Sequence, residues 1–311
     1  MKETVRIQNL VKRYDDLTAL NHLNLTVGEG EIFGLLGPNG SGKTTAINCI
    51  LALLKYDRGE IEVFGKPMTP SSYESKRDIG VVFQNVAVFE QLNVTENIDY
   101  FCSLYVADKA MRTELVESAI VFTGLEDFRK KRPKQLSGGL LRRLNIACGI
   151  AHKPKLIILD EPTVAVDPQS RNHILNGIKE LNRDGATIIY TSHYMEEVEQ
   201  ICTHISILDH GRCIADGTAN ELKGMIKTAE TVTVEAIALT DVQLSRIRSM
   251  DNVFSAVYEN NSLKIKSSVV GSVIKILHYL ESEDISFGTV YSEKPTLNDV
   301  FLELTGKDLR D

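Results

Sequence analysis

The chain has 311 residues, of which 43% are hydrophobic and 25% are charged, and its formal net charge is -7. This balance is typical of a globular protein, and the length favours one larger domain and one smaller domain. The negative charge argues against a nucleic-acid-binding protein, because such proteins gain much of their affinity from a basic surface. The beginning, MKETVRIQNL, lacks the apolar core of a secretory signal, and no run approaches the roughly 18 apolar residues of a membrane span. We therefore expect a soluble chain in a reducing cytosol, in which the five cysteines form neither structural disulfides nor a zinc site.

The first two thirds of the chain alternate short apolar runs with helical patterns. The runs that predict buried parallel strands are EIFGLLG (31–37), IGVVFQ (79–84), KLIILDE (155–161) and ATIIYTSH (186–193). Helical patterns between them include TTAINCILALL (44–54) and LRRLNIACGIAH (141–152). This alternation predicts an α/β sheet that binds its ligand at the carboxyl ends of the strands.

A glycine-rich loop follows the first predicted strand and precedes a helix. Its residues are Gly37, Pro38, Asn39, Gly40, Ser41, Gly42, Lys43 and Thr44, with Thr45 next in the helix. The context is that of the P-loop, in which backbone N–H groups and the start of a helix bind phosphates. We therefore expect these residues to bind ATP, with Lys43 reaching the β- and γ-phosphates and the Thr44 hydroxyl ligating Mg²⁺.

A basic run lies between the second and third predicted strands. Its cations are Arg129, Lys130, Lys131, Arg132 and Lys134. The run is compatible with contact to anionic lipid headgroups or RNA, or with a solvated loop. Because the run is short and Pro133 interrupts it, the solvated loop is the favoured interpretation.

The third predicted strand ends in two acids, Asp160 and Glu161, before Pro162. Packing in a sheet gives no reason for two acids at that position, although a solvated acidic loop is an alternative. After a P-loop, the pair predicts hydrolysis chemistry. Asp160 would hold Mg²⁺ through water, and Glu161 would act as the general base on the attacking water.

The sequence changes in character after Gly224. The segments TVTVEA, DVQLSRIRSM, VFSAVYE, SLKIKS, VIKILHYLES and ISFGTVYS predict the order strand, helix, strand, strand, helix, strand. This βαββαβ order is that of a ferredoxin-like layer of helices on a sheet. We therefore predict an α/β P-loop NTPase domain at residues 1–225 and a small α+β domain at residues 226–311.

The segment Leu136-Ser137-Gly138-Gly139-Leu140 resembles the LSGGQ signature of ABC ATPases, and it lies between the P-loop and the acidic strand end, as in that family. The resemblance implies that Ser137, Gly138 and Gly139 donate hydrogen bonds to a γ-phosphate. Leu140 replaces the usual glutamine. We expect activity to survive this change, because the phosphate donors are the serine and the glycines.

The same resemblance assigns roles to residues near the predicted strand ends. Gln84 matches the Q-loop glutamine, which acts at the Mg²⁺ site and contacts the membrane partner, and His193 matches the switch histidine that holds the γ-phosphate. Asp167 matches the D-loop aspartate, although Val164 and Ala165 replace the usual serine and glycine. A lone histidine after a strand is otherwise most often a surface residue.

Tyr14 matches the aromatic residue that stacks on adenine in this family. A strand tyrosine packed within the sheet is the alternative. The resemblance covers roughly residues 4–222. Residues 295–306, PTLNDVFLELTG, look like the closing segment of ATPase subunits from ABC-2-type exporters, and they also form the pattern of a capped amphipathic helix that packs on the small domain.

The resemblance implies an Mg-ATP-hydrolysing subunit at the cytoplasmic face of the membrane. It implies an ABC-2-type transmembrane subunit as partner and a dimer of two copies, or of this chain with a related ATPase, around two ATP molecules. Nucleic acid is not an expected partner. The alternatives are a non-transport ABC ATPase, which usually carries a coiled coil or zinc insertion, and a sugar importer subunit, which usually carries a β-barrel tail.

Overall fold

The computed structural model describes residues 2–236 and 238–306 and divides the chain into two compact units. The first unit ends at Thr218, and the second begins at Ala219. The division falls several residues before the predicted boundary at 225/226, because the helix Ala219–Gly224 packs against the helix Leu297–Thr305 of the second unit.

Every helix within these described residues is too short or too polar to cross a membrane.

The first unit contains two sheets. Its strands, in chain order, are Glu3–Tyr14 (β1), Leu17–Gly28 (β2), Ile32–Leu36 (β3), Arg58–Val63 (β4), Lys66–Pro67 (β5), Ile79–Val82 (β6), Leu156–Asp160 (β7), Thr187–Ser192 (β8), His204–Asp209 (β9) and Arg212–Gly217 (β10). One sheet has six strands in the order β10-β9-β3-β8-β7-β6, and all of its pairs are parallel except β9 with β10. The four strands predicted from apolar runs are the neighbours β3-β8-β7-β6, so their carboxyl ends meet at one edge.

The second sheet of this unit was not predicted from the sequence. It is antiparallel, with the order β2-β1-β4-β5. Its inner face and the central sheet enclose the first helix in one hydrophobic core, which includes Leu10, Val27, Phe33 and Ile47. The β1–β2 hairpin was missed because its alternation of apolar and polar residues is interrupted by several register shifts.

Seven α-helices complete the described part of the first unit. They are Lys43–Ile50 (α1), Tyr73–Arg77 (α2), Val94–Ser103 (α3), Lys109–Phe122 (α4), Gly138–Ile150 (α5), Pro168–Arg183 (α6) and Met195–Ile201 (α7). The prediction extended α1 to Leu54 and was wrong there. The helix ends at Ile50, and Ala52 adopts a left-handed conformation with φ 52°, which a helix interior does not allow. Helices α3, α4 and α5 share a separate apolar cluster around Ile98, Ile120 and Leu144.

The second unit has the predicted βαββαβ order. Its elements are Ala219–Gly224 (α8), Glu230–Ala236 (β11), Asp241–Arg248 (α9), Val253–Glu259 (β12), Ser262–Ser267 (β13), Ser272–Ser282 (α10), Phe287–Glu293 (β14) and Leu297–Thr305 (α11). The sheet is antiparallel, with the order β12-β13-β11-β14. Asn260 and Asn261 join β12 to β13 with φ values of 50° and 60°, as a two-residue hairpin turn requires.

The closing segment forms the amphipathic helix that the sequence predicted. Thr296 and Asp299 cap α11 reciprocally, and the side chains of Leu297, Val300 and Phe301 are buried. Leu304 was placed on the same apolar face but is 42% exposed.

Candidate nucleotide-binding and hydrolysis site

The glycine-rich loop joins β3 to α1, and its backbone is closely surrounded. Gly42 has φ 109°, and a Cβ atom there would lie 2.7 Å from the carbonyl oxygen of Ala19 in β2. At Gly37 a Cβ would lie 2.4 Å from the carbonyl oxygen of Leu208. Only glycine fits these positions, so the close approach of the loop to the backbones of Ala19 and Leu208 requires it.

The side chains of the loop supply donors for an anion. Lys43 is 5% exposed, and its Nζ donates to the carbonyl oxygens of Gly37 at 2.7 Å and Pro38 at 3.1 Å. Burial lowers the pKa of Lys43, and the neighbouring carboxylate of Glu161 partly opposes that shift. The Ser41 hydroxyl is buried and has no hydrogen-bond partner among the described residues. An unpartnered hydroxyl beside a buried ammonium fits the β- and γ-phosphates of a nucleotide.

The other predicted loop residues lie at the solvent side. Asn39, Gly40 and Thr44 are exposed, and Thr45 is half-buried in the first turn of α1. Phosphates can therefore enter from solvent.

Asp160, at the carboxyl end of β7, is held between two hydroxyl groups. It is 2% exposed, its Oδ2 accepts from the Thr44 hydroxyl at 3.1 Å, and its Oδ1 accepts from the Thr191 hydroxyl at 2.6 Å. The Thr44 hydroxyl and the Asp160 carboxylate both present oxygen atoms as ligands. This donor set fits Mg²⁺.

Glu161 lies close to three other predicted site residues. Its carboxylate is 3.7 Å from Lys43 Nζ, 3.4 Å from Gln84 Nε2 and 3.3 Å from His193 Nδ1. Its backbone has φ 48°, and its N–H donates to the hydroxyl of Thr191 at 3.0 Å. A left-handed glutamate at the end of a buried strand is a strained conformation of the kind found at functional sites.

Arg142 of α5 is a site residue that the sequence analysis missed. Its guanidinium is 4% exposed and donates to five carbonyl oxygens, those of Phe83, Gln84, Asp160, Glu161 and Pro162. Burial lowers its pKa. Arg142 therefore fixes the backbones that carry Gln84 and Glu161. The available signal was an arginine among the mainly apolar residues of the predicted helix.

The signature segment forms the start of α5. The Ser137 hydroxyl accepts from the N–H of Leu140 at 3.4 Å, and Ser137 and Gly138 are exposed. Leu140 is half-buried against the α3–α5 cluster, so the replacement of glutamine adds apolar packing. At Gly139 a Cβ would lie 2.4 Å from the Ser170 hydroxyl oxygen, so glycine lets the signature segment pack on the beginning of α6.

Asp167 caps α6. Its carboxylate accepts from the N–H of Ser170 at 2.9 Å, and hydrogen bonding to Ser170 lowers its pKa. Ala165, which replaces the usual glycine, has φ 58°. The D-loop segment therefore keeps a glycine-like backbone although the glycine is absent.

Tyr14 ends β1, with Leu17 opposite it across the hairpin turn. Its side chain is 43% exposed, and Lys12 Nζ lies 4.9 Å from the ring centroid. The alternative of a tyrosine packed within the sheet is therefore wrong. The same hairpin carries Ala19, which contacts the end of the glycine-rich loop.

The basic run is largely exposed. Arg129 pairs with Glu117 at 2.5 Å, and Lys134 lies 3.1 Å from Glu90. Lys130, Lys131 and Arg132 are exposed.

Residues 20–164 match the family described as ABC transporter. The chain is similar to a linearmycin resistance ATP-binding protein of Bacillus subtilis (strain 168), with 36% identity over 99% of this chain and 100% of that protein. It is also similar to a daunorubicin resistance ATP-binding protein of Streptomyces coeruleorubidus, with 32% identity over 98% of this chain and 97% of that protein. Among solved structures, the dimeric post-hydrolysis state of the ATP-binding cassette MJ0796 bound to ADP and Pi is similar, with a TM-score of 0.63 and 28% identity over 69% of this chain and 98% of that one. The chain belongs to the ABC transporter family and is one of its ATP-hydrolysing, ATP-binding proteins.

Proposed function

We propose that this chain is the ATPase subunit of an exporter that moves a drug, antibiotic, lipid or similar amphiphile through a separate ABC-2-type transmembrane partner. The observation that carries the proposal is similarity along the whole chain, second unit included, to resistance ATP-binding proteins. It agrees with the meeting of Lys43, Asp160 and Glu161 at one sheet edge. A sugar importer subunit would be expected to carry a β-barrel tail. The second unit argues against that function, because helices α9 and α10 are part of its ferredoxin-like order.

In the proposed reaction, Lys43 and Ser41 bind the β- and γ-phosphates of ATP. Thr44, Gln84 and Asp160 would hold Mg²⁺, with Asp160 acting through water. When bound, the ion neutralises phosphate charge and orients the γ-phosphate. Lys43 then exchanges its bonds to the loop carbonyls for bonds to phosphate.

Glu161 accepts a proton from the water that attacks the γ-phosphorus, and the bond from that phosphorus to the ADP oxygen breaks. A base at this place contributes about 10²- to 10⁴-fold to the rate. His193, whose Nδ1 lies 3.3 Å from the Glu161 carboxylate, would hold the γ-phosphate. Gln84 reports the occupancy of the site to the surface that it shares with the membrane partner.

The working unit in this proposal is a head-to-tail dimer, of two copies or of this chain and a related ATPase. Ser137 and Gly138 are exposed at the start of α5, and the Ser137 hydroxyl accepts from Leu140 while its own proton stays available. A second copy can place a γ-phosphate against these donors and receive the same contact in return. ATP would then favour closure, because each nucleotide gains the second set of donors only in the dimer.

The dimer can be tested by light scattering at micromolar protein with and without Mg-ATP. Glu161→Gln keeps the size of the side chain and removes the base, so it should bind ATP and accumulate as a dimer. Ser137→Arg should stay monomeric, because its bulk blocks the contact. A Glu161→Gln protein that binds ATP but remains monomeric would refute the homodimer, and the test is then repeated with the related ATPase.

The proposed partner contacts the surface next to Gln84, at the cytoplasmic face of the membrane. Phe83, which precedes Gln84, lines a groove together with Leu53, Leu104 and Tyr105, whose side chains are 63%, 60% and 40% exposed. Large apolar side chains around a groove are typical of a protein contact.

Export can be tested in cells that express this chain with the candidate ABC-2-type membrane protein. Efflux of daunorubicin and of linearmycin, the compounds named for two relatives, is measured for the wild type and for Lys43→Ala, with the membrane protein alone as control. Efflux of either compound that needs both proteins and is lost in Lys43→Ala supports the proposal. If Lys43→Ala exports as well as the wild type, hydrolysis by this chain does not drive the transport.

A further inference from the structure

A buried carboxylate that the mechanism above does not use lies beside the proposed hydrolysis site. Glu197 of α7 is 4% exposed. Its Oε2 accepts hydrogen bonds from the Tyr190 hydroxyl at 2.6 Å, the Thr163 hydroxyl at 2.7 Å and the Ser192 hydroxyl at 3.3 Å. Its Oε1 lies 3.3 Å from Nε of Arg171, which supplies a positive charge. Three hydroxyl donors therefore meet at Oε2, whereas Oε1 lies near the Arg171 charge but accepts no hydrogen bond among the described residues.

These donors come from the two segments that carry the proposed catalytic groups. Thr163 lies two residues after Glu161 and begins the segment that leads to Asp167. Ser192 directly precedes His193 and also accepts a hydrogen bond from the N–H of Tyr194 at 2.9 Å. One carboxylate thus joins the backbone that follows the base to the backbone that carries the switch histidine.

Contacts among Arg171, Tyr194 and His193 provide a second connection. The guanidinium carbon of Arg171 lies 5.0 Å from the ring centroid of Tyr194. The rings of Tyr194 and His193 lie 4.1 Å apart between centroids, at 41°. Arg171 belongs to α6, whose first residues contact the signature segment at Gly139. The neighbour of Glu197 therefore also restrains the ring next to His193.

The phenol of Tyr190 stays a donor at any working pH. Burial raises the pKa of Tyr190 well above its usual value, and the charge of Glu197 raises it further. The Tyr190 and Thr163 hydroxyl oxygens lie 3.3 Å apart, because both groups donate their single proton to the same carboxylate oxygen.

Buried ionic clusters of this kind contribute little net stability compared with apolar packing, and their best-attested use is to select one arrangement. We propose that Glu197 is a positioning residue, which holds the Thr163 and Ser192 segments in one arrangement and so aligns Glu161 with His193 for hydrolysis. The inference rests on the proposed roles of Glu161 and His193. Through Glu197, helix α7 would then hold Glu161 and His193 in the relative positions that hydrolysis needs.

The test is the steady-state hydrolysis of ATP by Glu197→Gln, which keeps the size and one acceptor oxygen but loses the charge. Misalignment of catalytic groups lowers the rate of the chemical step more than it lowers affinity, so kcat should fall about tenfold or more while KM changes less than about threefold. Glu230→Gln is the matched control. Glu230 is equally buried, at 4% exposed, but accepts from Ser272 and Ser292 in the second unit. Its kcat should equal that of the wild type.

A double-mutant cycle with His193→Ala separates alignment from a general loss of structure. If Glu197 acts through His193, Glu197→Gln should lower kcat much less in the His193→Ala background than in the wild type. Fully additive losses, or a folded Glu197→Gln with wild-type kcat, would overturn the inference and leave the role of His193 standing. Wild-type turnover of His193→Ala alone would instead remove the proposed role of His193 and, with it, this inference.

Tyr190→Phe provides the same test if Glu197→Gln does not fold. It removes one donor and leaves the carboxylate, so kcat should fall about threefold, and the loss should again shrink in the His193→Ala background. Circular dichroism and thermal melting confirm that each variant is folded. An unchanged kcat in folded Tyr190→Phe, with Glu197→Gln unfolded, counts against the inference.

Discussion

The two units of this protein bury charge in different ways. Among its described residues, the first unit buries five charged side chains, each no more than 6% exposed, namely Lys43, Arg142, Asp160, Glu161 and Glu197. The described part of the second unit buries one, Glu230. That carboxylate accepts from the N–H of Ser272, where α10 begins, and from the hydroxyl of Ser292 in β14 at 2.5 Å. It joins a strand to a helix and has a local structural task.

The difference indicates where ligand chemistry belongs. In the first unit the buried charges lie around the carboxyl ends of β7 and β8, and the buried Ser41 hydroxyl and His193 Nδ1 beside them lack hydrogen-bond partners among the described residues. Burying charge is expensive unless it is paired, so such a cluster needs a function that outweighs its cost. In the second unit the one buried charge is already satisfied by the fold.

The largest effect is expected when Lys43 is removed from the buried charges of the first unit. Lys43→Ala should lower ATP hydrolysis by at least about 100-fold, because the phosphates lose their only buried ammonium donor from the loop. Phosphate release and fluorescent nucleotide titration measure the effect. Lys66→Ala, at an exposed lysine paired with Glu74, is the control and should behave as the wild type. Wild-type turnover in Lys43→Ala would show that the P-loop assignment is wrong.

The next effect concerns stability. Arg142→Met keeps an apolar stem but removes the guanidinium donors, so carbonyl oxygens such as that of Pro162 lose their bond to it. It should lower the free energy of unfolding by roughly 3 kcal/mol or more. Urea denaturation measures this loss. Arg143→Met is the neighbouring control. Arg143 is more exposed and donates to the carbonyl oxygens of Thr123 and Gly124, away from the strand ends. Equal losses of unfolding free energy for both variants would show that the hydrogen bonds of Arg142 to the strand ends add no particular stability.

The sequence predicted the parts of this molecule that depend on local patterns. The four buried strands, the βαββαβ order of the second unit and the glycine-rich loop follow from apolar runs, alternation and turn residues at short range. The meeting of Gln84, Glu161 and His193 followed from the rule that parallel strands share a carboxyl edge, together with the family resemblance.

The remaining features depend on long-range contacts that spacing does not reveal. Arg142 reaches carbonyl oxygens about 20 and about 60 residues away, and Glu197 accepts from residues of two different segments. The β1–β2 hairpin is a local feature and was missed for a different reason, because its register shifts hide a period of two. The two arginines of the predicted helix were the only visible signal, and the sequence does not show which of them is buried.

A smaller effect is expected when the two units are separated. A chain that ends at Thr218 contains every residue assigned to nucleotide binding, so its Kd for ATP should change less than about threefold, which is under about 1 kcal/mol. Fluorescent nucleotide titration of the folded fragment measures it. The same fragment with Lys43→Ala is the control and should bind poorly. If the folded wild-type fragment binds no ATP, residues beyond Thr218 belong to the site.

The smallest effect concerns backbone strain, which also differs between the units. In the described part of the second unit, the non-glycine residues with positive φ are all asparagine or aspartate, which tolerate that conformation, whereas Ala165 next to the first unit's site has φ 58°. Ala165→Gly should therefore raise the free energy of unfolding by up to about 1 kcal/mol, since relief of strain is partly offset by the entropy of glycine in the unfolded chain. Ala110→Gly, at an exposed position of α4, should lower stability by about 0.5–1 kcal/mol and is the matched control for the entropy effect. Urea denaturation of both variants measures whether the free energy of unfolding rises or falls in each. If Ala165→Gly lowers the free energy of unfolding as much as Ala110→Gly does, the left-handed conformation of Ala165 carries no strain. Alanine then replaces the family's glycine at this position without a cost in stability.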